Sequence, residues 1–169
     1  MIISKKFDAL SETFYLAEFE TIPQTGFREG FIVMNAISSF IVSDFEPKAS
    51  PLENFEKINK LGILAINFEI SKVAEAKDKE MSDDEKANRL FPAIPIYATE
   101  NQLRSLHCVL GGFISRTSVE SYTPTNLSAS SGRIIEGGMA TRIHQEIEQL
   151  FRDLSAKHPE KTKLGFSKY

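Results

Sequence analysis

Ser50-Pro51-Leu52-Glu53 opens the stretch whose reading decides the fold, SPLENFEKINKLGILAINFEISKVAEAKDK, residues 50–79. A Ser hydroxyl followed three residues later by Glu is a capping box. The hydroxyl accepts from an orphan N–H of the first helical turn, and the carboxylate reaches back to the cap's own N–H. Pro51 suits a first helical residue, because its φ is already fixed and its missing N–H has no intrahelical partner to lose. Beyond it, Phe55, Ile58, Leu61, Ala65 and Phe68 recur at helical spacing, and Ile63, Ile66, Ile70 and Val73 form a second stripe. Two apolar stripes on one helix predict burial on most sides, and so a central helix running from Pro51 to Lys79. Gly62 in its middle costs about 1 kcal/mol relative to Ala and suits close approach of a neighbour.

Two further capping boxes flank this helix downstream, Ser82-Asp83-Asp84-Glu85 and Thr99-Glu100-Asn101-Gln102. The first predicts a short helix ending before Pro92, and Pro92-Ala93-Ile94-Pro95-Ile96 reads as an extended link. The second opens a helix with Leu103, Leu106, Leu110 and Phe113 or Ile114 on its inner side, weakened at its end by Gly111-Gly112. Upstream, Phe7, Leu10, Phe14 and Ala17 predict an amphipathic helix over residues 5–20, closed by a turn at Ile22–Gly26. Residues 31–45 fit a helical period as well, although Phe31-Ile32-Val33 and Phe40-Ile41-Val42 have the β-branched density of two strands. The last helix spans Met139–Ala156, with Met139, Ile143, Ile147, Leu150 or Phe151, and Leu154 in one row. The expected fold is therefore all-α, a compact bundle of five or six helices around the long central one. It occupies residues 1–158 as a single domain, with residues 159–169 as a flexible tail.

Residues 115–138 resist this pattern. They show no helical period and carry Ser or Thr at positions 115, 117, 118, 121, 123, 125, 128, 130 and 131. A connection this long inside a compact domain is either disordered or functional. The expectation is one long polar loop, with a small hairpin through Val119, Tyr122 and Ile134-Ile135 as an alternative.

Composition excludes more than it selects. The 169 residues carry a net charge of −3, which weighs against general nucleic-acid binding. One cysteine, Cys108, rules out an intramolecular disulfide framework and reads as a small buried core residue in a reducing compartment. The N-terminus lacks the apolar core of a secretory signal, and the apolar run Phe31–Val42 is too short to span a bilayer. A cytoplasmic protein without a membrane role follows. Thirteen Phe and no Trp suit a dry interhelical core, with a share left over for an oligomer interface.

The most coherent chemistry lies in the polar segment and the helix after it. Arg116, Ser130, Ser131, Arg133, Gly137, Gly138, Thr141 and Arg142 combine cations, hydroxyls and a glycine-rich helix start. Open N–H groups at such a start attract anions, and arginine adds a fork for phosphate or carboxylate. Neither G-x-x-x-x-G-K-[ST] nor G-x-G-x-x-G is present. His107 lies in the row Leu103-His107-Leu110-Ile114 and reads as a boundary histidine. His144 and Glu148 stand one helical turn apart, which suits a solvated ion pair; the ligands that would complete a metal site are not evident, so no metal and no cofactor is assigned. Glu146 and Glu148 point to different faces, poor geometry for paired acid–base work.

The leading functional expectation is a small accessory protein that works through a protein partner or as a homo-oligomer. A binder of a small anionic ligand such as a phosphate or nucleotide, using the 116–142 segment, comes second. A hydrolase or nuclease built on His107 or His144 comes third.

Overall fold

The computed structural model describes residues 1–9, 12–22, 27–43, 51–120 and 127–157. The chain opens not with a helix but with two strands, β1 (Ile2–Ala9) and β2 (Glu12–Phe19), paired antiparallel. Two short strands, β3 (Thr21–Ile22) and β4 (Phe27–Arg28), pair with each other and lead into α1 (Glu29–Ser43). Helix α2 (Pro51–Glu80), the short α3 (Asp83–Ala87), strand β5 (Ile94–Thr99), α4 (Glu100–Glu120) and α5 (Leu127–Lys157) follow. Strand β5 returns to pair antiparallel with β2, giving a three-stranded sheet in the order β1-β2-β5.

This corrects the all-α expectation: the molecule is a mixed α/β structure in which helices cover a sheet. The reason lies in periodicity. Tyr15, Ala17 and Phe19 on β2, and Ile94, Ile96 and Ala98 on β5, alternate at a period of two, and all six are buried. The helical row expected of Phe7, Leu10, Phe14 and Ala17 is overturned, because Phe14 and Ala17 fall on opposite faces of the sheet; Leu10 lies outside the described residues. The link at Pro92–Ile96 is extended as expected, but from Ile94 it is a paired strand. Pro95 sits in a strand that pairs on one side only, where a missing N–H does least harm.

Helix α4, rather than α2, is the central helix: it packs against α1, α2, α5, β2 and β5. Its Leu103, Leu106, Val109, Leu110 and Phe113 meet Ile32, Val33, Ala36 and Ile37 of α1, Ile63, Ile66, Ile70 and Ala74 of α2, and Met139, Ala140, Ile143 and Ile147 of α5 in one core. Among the described side chains of α2, Ile63, Ile66, Ile70 and Ala74 are buried, while Ala65 and Phe68 of the other stripe face outward; Phe55, Ile58 and Leu61 lie outside the described side chains. Among the described phenylalanines only Phe19 and Phe113 are buried, so isoleucine rather than phenylalanine dominates the dry core. Cys108 is exposed rather than a core residue.

Within residues 27–45, Glu29–Ser43 form helix α1 through Phe31 and Phe40 rather than two strands, after the short strand β4 at Phe27–Arg28; residues 44–45 lie outside the described residues. Both downstream capping boxes form. Glu85 N–H donates to Ser82 Oγ at 3.3 Å while Ser82 N–H donates to Glu85 Oε2 at 2.8 Å. Gln102 N–H donates to Thr99 Oγ1 at 3.2 Å and Thr99 N–H to Gln102 Oε1 at 2.9 Å. The Ser50 cap and the tail 159–169 lie outside the described residues.

The expected polar loop at 115–138 is replaced largely by helix. Helix α4 continues to Glu120 and α5 begins at Leu127, twelve residues before the expected start. Thr117 turns its hydroxyl onto the carbonyl oxygens of Phe113 and Ile114, both at 3.0 Å, so hydroxyl-rich sequence is accommodated inside a helix.

Candidate functional site

Two places gather chemistry on this frame. The first is the face of the sheet turned away from the helices. Cross-strand register places Phe7 opposite Phe14 and Leu16 opposite Tyr97. The ladder shifts between Lys5 and Phe7, a bulge that inserts Lys6 as an extra residue and brings Phe7, rather than Lys6, alongside Phe14. Phe7 and Phe14 stack with centroids 5.0 Å apart, and Tyr97 leans on Phe7 at 5.8 Å. Ile2 (54%), Phe7 (44%) and Tyr97 (54%) remain substantially exposed there. Sheet faces of soluble proteins turned to water normally carry polar residues, so this aromatic cluster is the sheet's departure from the rule.

The second place is the seam between α4 and α5. His107 and His144 stack face to face, with centroids 3.7 Å apart and planes inclined by 23°. Phe151 meets His107 edge-on at 6.2 Å and carries the guanidinium of Arg104 on its face at 4.3 Å. Arg104 is held by Glu100 at 2.6 Å, and Arg152 donates to Glu148 Oε1 at 2.7 Å. Burial lowers the pKa of His107 and the neighbouring His144 lowers it further, so the neutral imidazole is favoured. The Arg152 hydrogen bond holds the Glu148 carboxyl below its ordinary range. Nε2 of His107 is buried and has no hydrogen-bond partner in the protein. Together His107, His144 and Glu148 are the described residues that could hold a metal ion.

The glycines expected to open the last helix do not stand at a helix start. Gly137 and Gly138 lie inside α5, where their N–H groups belong to the helical ladder rather than to an anion. Gly137 has a packing role: a Cβ there would stand 3.2 Å from Thr117 Oγ1, where α4 and α5 approach. Thr141 donates its hydroxyl to the Gly137 carbonyl at 2.8 Å. Arg142 points to a different partner altogether. Its Nε donates to Glu29 Oε1 at 3.0 Å, its Nη2 bonds the same oxygen, and Glu20 lies 3.7 Å away. Glu29 is fully buried, and it also accepts from the Met1 α-amino group and from Glu20 N–H, each at 2.7 Å. Arg142 thus neutralises a buried carboxylate. Arg116 stands on α4, and the side chains of Ser130, Ser131 and Arg133 lie outside the described set.

The His107–His144 meeting is absent from any sequence spacing, because its partners sit on different helices. The visible half of the signal is the i, i+4 pair His144–Glu148. Comparison with protein-family models, with curated proteins and with solved structures finds no match. Among the described residues no helix is long and apolar enough to cross a membrane.

Proposed function

We propose that this is a small cytosolic accessory protein that acts by self-association, and that its working surface is the outer face of the sheet β1-β2-β5. The observation that supports this reading is the half-exposed Phe7–Phe14 stack with Tyr97 leaning on it, and Ile2 exposed further along the same face. Leaving such side chains in water forgoes about 25 cal/mol for each Å² of apolar surface that could be covered. The matching surface is one equally apolar and aromatic, and every copy of the chain carries one. Two copies related by a two-fold axis present the same patch to each other, the commonest arrangement of soluble oligomers. Aromatic side chains are also the residues that most often anchor an interface.

Sedimentation velocity across a hundredfold range of micromolar concentrations tests the reading. The expected result is a concentration-dependent dimer that dissociates in the Phe7→Ser/Tyr97→Ser double variant while the circular dichroism spectrum is retained. A wild-type chain that stays monomeric throughout overturns self-association, as does a dimer that persists unchanged in the double variant.

A further inference from the structure

We infer that His107, His144 and Glu148 form a binding site for one late first-row divalent metal ion, zinc above all, at the seam of α4 and α5. One donor atom from each of the three residues lies within 4.8 Å of the other two. Tetrahedral bonds of about 2.0–2.1 Å require donors about 3.3–3.4 Å apart. The remaining closure is within reach of side-chain rotation on a fixed pair of helices. At present the two imidazole planes run nearly parallel, so their in-plane lone pairs lie side by side. Metal binding swings the rings out of the stack until those lone pairs converge on one point.

Each residue brings a suitable group. Nε2 of His107 is buried and lacks a protein partner, an arrangement that costs free energy in the empty site and is relieved by a ligand bond. His144 and Glu148 share one face of α5, one turn apart. Arg152 occupies Oε1 of Glu148, leaving Oε2 to the metal and orienting the carboxylate in the way supporting partners of metal ligands do. Gly111, one turn along α4 from His107, lets α4 pass close beside the His144 ring: a Cβ there would stand 3.6 Å from Nε2, in van der Waals contact. With three protein donors, the fourth tetrahedral position falls to a non-protein ligand such as water.

The donor set selects the ion. Two imidazole nitrogens and one carboxylate suit zinc and its neighbours, whereas magnesium and calcium prefer sites built from oxygen. Three protein donors with an open fourth position is also the arrangement in which zinc activates bound water, unlike closed structural sites with four protein ligands.

The test is calorimetric titration of the full chain with zinc chloride, paired with cobalt(II) absorption. The expected result is one zinc per chain, with affinity falling at least tenfold in His144→Ala and in Glu148→Gln and unchanged in His158→Ala. Magnesium and calcium should not compete at millimolar concentration. Cobalt should give the intense visible bands of a four-coordinate site. Glu148→Gln preserves shape on a half-exposed helix face, so its folding can be confirmed by circular dichroism. No saturable zinc binding overturns the proposal. So does zinc binding of wild-type strength in both Glu148→Gln and His144→Ala, or binding that His158→Ala abolishes. A weak, water-like octahedral cobalt spectrum overturns it independently of any variant.

Discussion

Glu29, with no exposed surface, is bound by Arg142 from 113 residues further along the chain. This pair ties the first turn of α1 to α5, and the Met1 α-amino group, also buried, closes the cluster from β1. Removing a buried carboxylate strands the cations that balanced it. Glu29→Ala is expected to cost about 3–5 kcal/mol, because the buried Met1 amine would be left with only the half-exposed Glu20 carboxylate, 4.0 Å away. Arg142→Gln should cost less, about 1–2 kcal/mol, since the arginine is nearly half exposed and Glu29 keeps two other donors. Urea denaturation of both variants checks the order, and an Arg142 effect exceeding that of Glu29 would contradict it.

Two helical glycines should respond to alanine with opposite sign. A Cβ on Gly30 would stand 2.9 Å from Ile94 Cδ1 and 3.1 Å from Ile70 Cγ2, so α1, α2 and β5 meet there with no room to spare. Gly30→Ala is expected to destabilise by about 1–3 kcal/mol through overpacking. Gly112, on the exposed side of α4, has nothing within 4 Å of its would-be Cβ. Gly112→Ala should stabilise by about 0.5–1 kcal/mol by restricting the unfolded chain. Thermal melts of the two variants should move apart from the wild type in opposite directions.

The capping box at Ser82 gives a pH signature. The Ser82 backbone N–H and hydroxyl hold the Glu85 carboxyl below its ordinary value of 4.5. Since the folded value is the lowered one, the contribution of this box to α3 is complete above about pH 4.5 and is lost as pH falls through the lowered value. An NMR titration of the Glu85 side chain should therefore show a depressed midpoint. Ser82→Ala should move it back toward 4.5. An unchanged midpoint in that variant would mean that the hydroxyl plays no part.

Arg152 should set the zinc affinity of the histidine seam without touching the metal. It orients Glu148 and withdraws charge from it through a 2.7 Å hydrogen bond. Losing the orientation that such a partner supplies typically costs about 10–100-fold in metal affinity. Arg152→Gln keeps a donor for orientation but removes the competing positive charge, so zinc should bind more tightly than to wild type. Competition with a chromophoric chelator measures the change, and weaker binding would show that orientation outweighs charge.

Local chemistry was legible in the sequence wherever the partners were neighbours along the chain. The boxes at Ser82–Glu85 and Thr99–Gln102 form because each residue needs only the next turn to complete its bonds. The apolar rows Leu103-Leu106-Leu110 and Met139-Ile143-Ile147 are buried because 3.6-residue spacing places them on one side of a helix whatever lies opposite. The N-terminal segment reads as helix because Phe7, Phe14 and Ala17 satisfy a helical period by chance, whereas the alternation of Tyr15, Ala17 and Phe19 becomes decisive only when β5 arrives to pair with β2. Residues 115–138 read as loop because serine and glycine have weak helical preference; up to Glu120 and from Leu127 the packing of α4 on α5 overrides it, with Gly137 making room for Thr117. By itself, then, the sequence determined the helix starts at Ser82 and Thr99, the core rows, and the placing of His144 and Glu148 one turn apart on one helix. The sheet, its aromatic outer face, the tie between Glu29 and Arg142, and the meeting of His107 with His144 were decided only by tertiary structure, since each requires residues far apart in the chain to be brought within a few ångströms, and no periodicity encodes that approach.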